Sequence, residues 1–295
     1  MPPPLGAEKA MRRILFEIPL PGGHYLPVHA FGVLAAAGFL AALWVALDRG
    51  RREKLAEAVI WDVWTASLLG GLVGARVLYV AEQWDLFVQA PAQIFAIWRG
   101  GLVWYGGVLG ALVAVLFYLR YRRQPVLPVV DAVTPATMVG LALGRIGCFL
   151  NGCCFGKVTN LPWGVCYPRG GSGEFHSALA HEFSPPFAYQ VDTMQLDPLA
   201  SFSAAVHPTQ LYESASALLI FLLLTAYYPR RRHPGEVFCL MLILYGTARF
   251  FIEMLRTNAP LLGGLSLPQV MSLAVVPVAL GFFIRSRGKP RSARA

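Results

Sequence analysis

The chain has 295 residues, of which 56% are hydrophobic and 14% charged, with a mean hydropathy of +0.53. A soluble core needs far fewer apolar residues, so the composition favours a membrane protein. The net charge of +9 would also suit a nucleic-acid-binding protein. However, the basic residues gather beside apolar runs, without the interleaved aromatic residues of a base-stacking surface, which excludes nucleic acid as a partner.

Seven apolar runs follow one another along the chain, each long enough to cross about 30 Å of hydrocarbon as a helix. We predict an all-α, polytopic membrane protein with seven transmembrane helices, built as a single integral domain over residues 1–295. The predicted helices cover residues 30–48, 59–80, 101–119, 128–149, 209–228, 236–255 and 266–284.

Basic clusters follow the first, third, fifth and seventh predicted helices, at residues 49–54, 120–123, 230–232 and 285–294. Because positive residues are retained in the cytoplasm, the alternation predicts an amino terminus outside and a carboxyl terminus in the cytoplasm. The first 29 residues contain charges and prolines where a cleaved signal peptide has an uninterrupted apolar core. We therefore expect the first helix to direct insertion itself.

The longest polar segment, residues 150–207, is predicted to be an outer-face insertion that forms a small folded cap. Cysteines near its start have the spacing C-x4-C-C-x11-C, at Cys148, Cys153, Cys154 and Cys166. This is not the paired C-x2-C spacing of zinc sites, so we expect no metal there. A disulfide between Cys166 and Cys153 or Cys154 would suit the oxidising outer face, with packing as small apolar side chains as the alternative.

Three arginines lie within or at the ends of the predicted helices, namely Arg76, Arg145 and Arg249. A charged side chain near the bilayer centre costs at least about 2.5 kcal/mol, so each needs a partner or a ligand. Guanidinium groups bind phosphate through two oxygens at once, and these three could converge on a lipid phosphate near the outer leaflet.

The alternative interpretation is that the arginines lock helices together by pairing with carboxylates at similar depth. Arg249 and Glu253 are spaced i, i+4, whereas Arg145 has no carboxylate on its own helix face within one turn and is flanked by Gly144 and Gly147. This favours a ligand for Arg145. The candidate carboxylates are Asp62, Asp131, Glu213 and Glu253.

Several motifs occur together along the chain. The central motif runs from Gly144 through Arg145 and Asn151 to Gly152, followed by Gly156. The other motifs are His29-Ala30-Phe31-Gly32, Gly74-Ala75-Arg76, Gly100-Gly101 with Gly106-Gly107, His207-Pro208-Thr209-Gln210-Leu211-Tyr212-Glu213, Tyr245-Gly246-x-x-Arg249-Phe250-x-x-Glu253-x-x-Arg256, and Gly264-Leu265-Ser266 with Gln269. In this order the motifs resemble those of one known family, the bacterial prolipoprotein diacylglyceryl transferases, and the resemblance covers roughly residues 28–284.

The resemblance implies an inner-membrane enzyme that transfers diacylglyceryl from phosphatidylglycerol to the lipobox cysteine of a prolipoprotein. A thioether forms, glycerol phosphate is released, and neither a cofactor nor a metal is implied. Arg145 and Arg249 would bind the phosphate and act in catalysis, Asn151 would orient the glycerol, and Glu253 would position Arg249 or Arg256. The residues implied in substrate binding are Arg76, Arg145, Asn151, Gly152, Gly156, Glu253 and Arg256.

The chain departs from the family pattern at the expected proton acceptor. Tyr105 stands where many members have histidine, and a phenol, with an ordinary pKa near 10, is a poor base near neutral pH. His207 is the substitute candidate, although Pro208 predicts a helix start there and hence a capping role as the alternative. Phe31 replaces a usual tyrosine and Cys148 a frequent asparagine.

Two other functions remain as alternatives. A divergent relative could bind anionic phospholipid or transfer a different group. A small-solute transporter is disfavoured, because the two halves show no repeat and the embedded charge is mostly cationic near one face.

Overall fold

The structure is a computed structural model that describes residues 14–20, 24–97, 100–169 and 184–288. Within these ranges, seven helices are long and apolar enough to cross a membrane, which confirms the predicted all-α polytopic fold. They are Ala30–Arg52 (α1), Glu57–Glu82 (α2), Trp104–Tyr121 (α4), Val126–Asn151 (α5), Thr209–Tyr227 (α7), Glu236–Met254 (α8) and Leu267–Arg287 (α9); the short helices Trp84–Gln89 (α3) and Pro185–Asp192 (α6) lie between them.

The long helices present large apolar side chains outward. Trp44 on α1, Phe117 on α4 and Leu222 on α7 are each at least 60% exposed. Such surfaces are unfavourable in water and are expected where lipid surrounds the helices. Together with the seven helices, they identify a multi-pass membrane protein.

A β-hairpin that the sequence did not predict precedes the first helix. Its strands Ile14–Leu20 (β1) and His24–His29 (β2) pair antiparallel, with Ile18 opposite Leu26. Both strands are short and contain a proline, Pro19 and Pro27, which weakens the strand pattern in the sequence. The hairpin ends where α1 begins, at Ala30.

Two compact units can be distinguished within the described residues. One contains residues 43–133, in which α2 and α4 approach closely through small residues. A Cβ added to Gly74 would lie 2.7 Å from Gly110 Cα, and one added to Gly70 would lie 2.7 Å from Gly110 O. This is the backbone-to-backbone packing that small residues permit between transmembrane helices.

The other unit contains the remaining described residues, including the second half of α5 and all of α7, α8 and α9. Ile220 and Leu224 of α7 and Val237 of α8 are buried in its apolar core. Division into a single domain over residues 1–295 stays a prediction.

The described parts of segment 150–207 are folded around buried Tyr167 and Val206. Val206 forms β-bridges with both Val158 and Val165. Residues 170–183 lie outside the described part of the chain, as do His176 and His181, to which the sequence assigned no role. The placement of this segment on the outer face stays a prediction.

Candidate active site

Charged residues from three transmembrane helices meet inside the unit that contains α5, α7, α8 and α9. Helix α5 contributes Arg145 and α7 contributes Glu213. Helix α8 contributes Arg249 and Glu253, and Arg256 follows its end. Spacings of four and three residues place these last three on the same side of the helix. We call these five side chains the charged cluster.

Glu213 lies at the centre of the charged cluster. Its Oε2 atom is 2.9 Å from Arg145 Nε, and its Oε1 atom is 3.1 Å from Arg249 Nη1. Arg256 Nη1 lies farther from Oε2, at 3.8 Å. The carboxylate is 1% exposed, so three guanidinium groups surround a negative charge that has almost no water.

Glu253 forms a second carboxylate centre beside the first. Its Oε2 atom is 2.8 Å from Arg249 Nη2 and 3.7 Å from Arg256 Nε. Its Oε1 atom accepts hydrogen bonds from Asn258 Nδ2 and, at 2.9 Å, from Ser266 Oγ. Glu253 is thus fixed on both oxygens, and Arg249 bridges the two carboxylates.

The charged cluster carries one net positive charge when all five groups are ionised. Among the described residues, Arg249 Nη1 and Arg256 Nε make no hydrogen bond of good geometry, although each lies near a carboxylate. Within the described part of the chain, the same is true of both Glu213 oxygens and of Glu253 Oε2, so these buried donors and acceptors face one another. Surplus positive charge that is shielded from water is an environment that stabilises a bound anion.

A cavity of about 800 Å³ opens beside the charged cluster. Arg256 and Glu253 line it, together with Lys157 from the segment after α5 and Asn258 from the segment after α8. Its lining also includes apolar side chains such as Met254. A cavity with basic and apolar walls can accommodate an amphiphilic anion.

The structure brings Arg145, Arg249, Glu253 and Arg256 together, as the sequence placed them in one site. It also gives Arg145 a carboxylate partner, Glu213, which is the ion pairing between helices that the sequence analysis kept as its alternative interpretation. The partner comes from α7, so the observation that the helix face of Arg145 itself carries no carboxylate within one turn still holds. The assignment of phosphate binding to Arg145 and Arg249 is untested by these contacts.

Asn151, Gly152 and Gly156 shape the chain where α5 ends. Gly152 has a φ of 79°, a left-handed conformation that favours glycine and terminates the helix after Asn151. A Cβ on Gly156 would lie 2.6 Å from Leu255 O. Gly156 therefore allows the chain to pass against the segment that carries Arg256, with which it forms a β-bridge. Their predicted substrate contacts stay predictions.

Three cysteine thiols meet next to the charged cluster. The Sγ atoms of Cys148, Cys153 and Cys154 all lie within 4.8 Å of one another. The C-x4-C-C spacing did not suggest this, because it depends on two left-handed residues, Gly152 and Cys154, whose φ is 63°. Thr209 Oγ1 donates to the carbonyl of Cys154 at 2.8 Å, and Gln210 Nε2 donates to that of Cys153 at 2.7 Å.

The environment of these thiols is strongly polar. Hydrogen bonds from the thiols of Cys148 and Cys153 lower the pKa of the Cys154 thiol. The positive charges of Arg256 and Arg145 act in the same direction. The three thiols and the charged cluster therefore interact electrostatically.

In the part of the chain that the structure describes, all five cysteines are free thiols. The predicted disulfide between Cys166 and Cys153 or Cys154 was therefore wrong. Burial raises the pKa of the Cys166 thiol, whereas Cys153 and Cys154 lie with Cys148. The fold instead places Cys153 and Cys154 beside Cys148, which lies near the end of α5. The cysteine spacing did not predict this grouping.

His207 lies immediately before α7, which begins at Thr209 after Pro208, as the sequence predicted. Its Nδ1 atom is 3.4 Å from Tyr212 Oη, which also accepts a hydrogen bond from Trp163 Nε1 at 2.7 Å. Its carbonyl accepts from Gly156 N at 3.0 Å. The backbone of His207 thus supports the site, while a role for its ring as base stays a prediction.

Tyr105 and Arg76 belong to the unit of residues 43–133. Tyr105, at the start of α4, is 39% exposed and packs edge-on against Trp104. Its role as a base is not tested by these contacts.

Arg76 is buried, and its guanidinium group binds main-chain carbonyls of the α2–α4 connection. Nε donates to Ile94 at 2.8 Å, Nη2 to Gln93 at 2.6 Å, and Nη1 to Gly100 and Gly101 at 2.8 and 3.0 Å. The structure therefore gives Arg76 a loop-organising role, and its predicted contact with the substrate stays a prediction.

Sequence reasoning did not assign site roles to Glu213 or Asn258. Glu213 could be found from the sequence, because a glutamate within an apolar helix needs a cationic partner. It was one of the carboxylates considered as partners of the arginines. Asn258 lies between the motif that ends at Arg256 and the motif that begins at Gly264, in a segment without periodicity. Its contact with Glu253 could not be read from spacing.

Comparison with known proteins identifies the family of the chain. The sequence profile of the family described as prolipoprotein diacylglyceryl transferase matches residues 15–285. Three relatives are each named phosphatidylglycerol–prolipoprotein diacylglyceryl transferase. The one from Trichormus variabilis is 31% identical over 275 residues, covering 90% of this chain and 89% of the relative.

The relative from Vibrio cholerae is 33% identical over 263 residues, covering 86% of each chain. The one from Synechococcus elongatus is 33% identical over 263 residues, covering 87% of this chain and 82% of the relative. The profile and the relatives each extend over most of the sequence. The chain therefore belongs to the prolipoprotein diacylglyceryl transferase family.

Proposed function

We propose that this protein transfers the diacylglyceryl group of phosphatidylglycerol to the lipobox cysteine of prolipoproteins. The observation that carries the proposal is the charged cluster, in which Arg145, Arg249 and Arg256 surround Glu213 and Glu253 with one net positive charge. The names of relatives that match over most of their length support the same substrates.

The reaction forms a carbon–sulfur bond and breaks the bond between the glyceryl carbon and a phosphate oxygen. Negative charge develops on the departing glycerol phosphate. Arginines held in place before the reaction, in a site poor in water, stabilise that charge in the transition state. Glu213 and Glu253 hold the guanidinium groups against their mutual repulsion, while the residual positive charge is available to the phosphate.

The cavity beside the cluster is the proposed place for the lipid headgroup. Arg256 and Lys157 would face its phosphate, and Asn151 would orient its glycerol. Arg76, Gly152 and Gly156 remain proposed substrate contacts. For the proton of the acceptor thiol, Tyr105 and His207 remain the proposed acceptors.

The protein is proposed to lie in the bacterial inner membrane, with the amino terminus outside and the carboxyl terminus in the cytoplasm. Basic residues at the ends of α1, α4 and α9, such as Arg52, Arg120 and Arg285, support this orientation. Segment 150–207 would then form the outer-face cap, on the side where the precursor peptide arrives.

The decisive experiment combines purified protein, phosphatidylglycerol vesicles and a synthetic lipobox peptide, with mass spectrometry of the peptide. We expect a diacylglyceryl adduct on the cysteine and none on a matched serine peptide. Arg145→Ala should abolish the adduct, whereas Arg51→Ala, which removes an exposed ion pair with Glu57, should retain it. Retention of lipid without an adduct would instead indicate a lipid-binding relative.

A further inference from the structure

The three clustered thiols have no part in the arginine chemistry described above. Their Sγ atoms lie within 4.8 Å of one another. Three thiolates around Zn²⁺, with Zn–S bonds of about 2.3 Å, are separated by about 3.8 Å in a tetrahedral site. Small side-chain rotations of Cys148, Cys153 and Cys154 would therefore complete a three-thiolate site.

The backbone around these cysteines is held in an uncommon conformation. Gly152 and Cys154 both have positive φ values, 79° and 63°, and for cysteine this conformation is unfavourable. Side chains of Thr209 and Gln210 fix the carbonyls of Cys154 and Cys153. Two residues of α7 thus hold the loop in which Cys153 and Cys154 lie close to Cys148. A metal site needs ligands that neighbouring residues hold in place in this way.

The proposed centre would be anionic. Zn²⁺ with three thiolates carries one net negative charge, so the nearby guanidinium groups do not oppose its formation. Soft thiolate ligands in this arrangement select Zn²⁺ over Mg²⁺ or Ca²⁺.

The coordination sphere would have a vacant position. Among the described residues, no histidine or carboxylate joins the group of three cysteines. Zinc sites with three protein ligands keep the fourth position for water or substrate, whereas structural sites are closed by four. The substrate of the proposed reaction is itself a thiol, and a thiol coordinated to Zn²⁺ is deprotonated.

We propose that Cys148, Cys153 and Cys154 bind Zn²⁺ and that the acceptor cysteine of the precursor occupies the fourth coordination position as a thiolate. The second half of this inference rests on the proposed function, while metal binding does not. Coordination to Zn²⁺ would convert the acceptor thiol into a thiolate. Tyr105 is a poor base and does not account for that deprotonation.

On coordination the acceptor thiol loses its proton to solvent, and its sulfur then attacks the glyceryl carbon attached to the phosphate oxygen. The carbon–oxygen bond breaks, and its electron pair stays on the phosphate of the departing glycerol phosphate, which takes up a proton from solvent. The thioether product is a weaker zinc ligand than a thiolate and leaves the metal.

Metal binding is tested on the full-length protein, loaded with Zn²⁺ under reducing conditions, desalted and analysed by mass spectrometry for metals. We expect about one zinc per chain. Cys148→Ser, Cys153→Ser and Cys154→Ser should each lose most of it, whereas Cys166→Ser and Cys239→Ser should retain it. Zinc no higher in the wild type than in the triple variant, or two of the three thiols joined in a disulfide, would overturn the inference.

The vacant position is tested with Co²⁺ in place of Zn²⁺. Thiolate-to-cobalt charge-transfer absorption reports the number of bound sulfurs, so the cysteine lipobox peptide should increase it and the serine peptide should not. An unchanged spectrum with the cysteine peptide would exclude the acceptor thiol as the fourth ligand.

The transfer assay separates this inference from the proposed function. Chelator-treated protein should lose transfer about 100-fold, the scale of a lost thiol-activating group, and regain it with Zn²⁺. Full transfer by metal-free protein would overturn the zinc inference and leave the proposed function intact. An absent adduct under every metal condition would reject the proposed function, and zinc content would still decide whether the site exists.

Discussion

Glu213 joins Arg145 to Arg249 through different oxygen atoms, with Oε2 2.9 Å from Arg145 Nε and Oε1 3.1 Å from Arg249 Nη1. These residues come from α7, α5 and α8 in turn, so one carboxylate connects three transmembrane helices. Because Glu213 is 1% exposed, its removal would leave guanidinium groups facing each other in a site with little water.

Glu213→Gln tests this relationship, since it removes the charge and nearly preserves the shape. Breaking a buried ion pair by removing one partner costs about 3–5 kcal/mol, so we expect a large fall in the midpoint of thermal unfolding in detergent. Glu57→Gln is the matched control, because its pair with Arg51 is exposed and worth about 0–1 kcal/mol. Equal midpoints for the two variants would contradict a structural role for Glu213.

Arg249→Lys tests whether residue 249 must contact two carboxylates at once through two nitrogen atoms. Arg249 contacts Glu213 with Nη1 and Glu253 with Nη2, and a lysine amine is a single point of charge that cannot reproduce both contacts. We expect the rate of diacylglyceryl transfer to fall by about 10²–10³, as for loss of one transition-state donor.

The control for this variant is Arg51→Lys, whose ion pair with Glu57 is exposed, and which should keep its activity. Full activity of Arg249→Lys would show that the bridge is dispensable. Both rates are measured by mass spectrometry of the lipobox peptide, with lipid and peptide concentrations varied separately.

Arg76→Ala distinguishes loop organisation from phosphate binding. The variant removes four hydrogen bonds to carbonyls of the α2–α4 connection, so amide hydrogen exchange in residues 90–101 should accelerate at least about tenfold, as expected for loss of more than 1.4 kcal/mol of local stability. Arg120→Ala is the control at an exposed site. Unchanged exchange accompanied by lost lipid binding would favour a direct substrate contact.

The transmembrane helices could be predicted because each consists of a long apolar run, and such a run indicates a membrane-spanning helix. Predicted and observed bounds agree to within about four residues at most ends, for example 209–228 against Thr209–Tyr227. The hairpin of β1 and β2 left no comparable signal, because each strand is short and interrupted by proline.

Site residues could be predicted only where motif or helix spacing placed them together. Arg249 and Glu253 are one helical turn apart, and their contact follows from that. Arg145 and Glu213 are 68 residues apart, and their contact depends on how α5 packs against α7. The three thiols depend on left-handed residues at Gly152 and Cys154, a backbone choice that cysteine spacing does not reveal.

Cys166 provides a test of thiol environment by pH. Burial raises its pKa, so less thiolate is present at a given pH than in an exposed cysteine, and the thiolate is the reactive form. We expect N-ethylmaleimide to modify Cys166 more slowly than a cysteine in the Gln195→Cys variant, whose site is exposed, with a rate that continues to rise above pH 9. A rate equal to that of the exposed cysteine would contradict the burial of Cys166.

Gly74→Ala tests the close packing of α2 on α4. The added Cβ would lie 2.7 Å from Gly110 Cα, and a backbone atom cannot move aside as a flexible side chain could. Overpacking of this kind costs about 1–3 kcal/mol, so the thermal midpoint in detergent should fall. Gly71→Ala is the matched control on the same helix, because its Cβ would meet Gly107 O at 3.4 Å, an ordinary contact. Alanine favours a helix by about 1 kcal/mol over glycine, so the control should be at least as stable as the wild type. A comparable fall of the thermal midpoint in both variants would show that the glycines do not set the distance between α2 and α4.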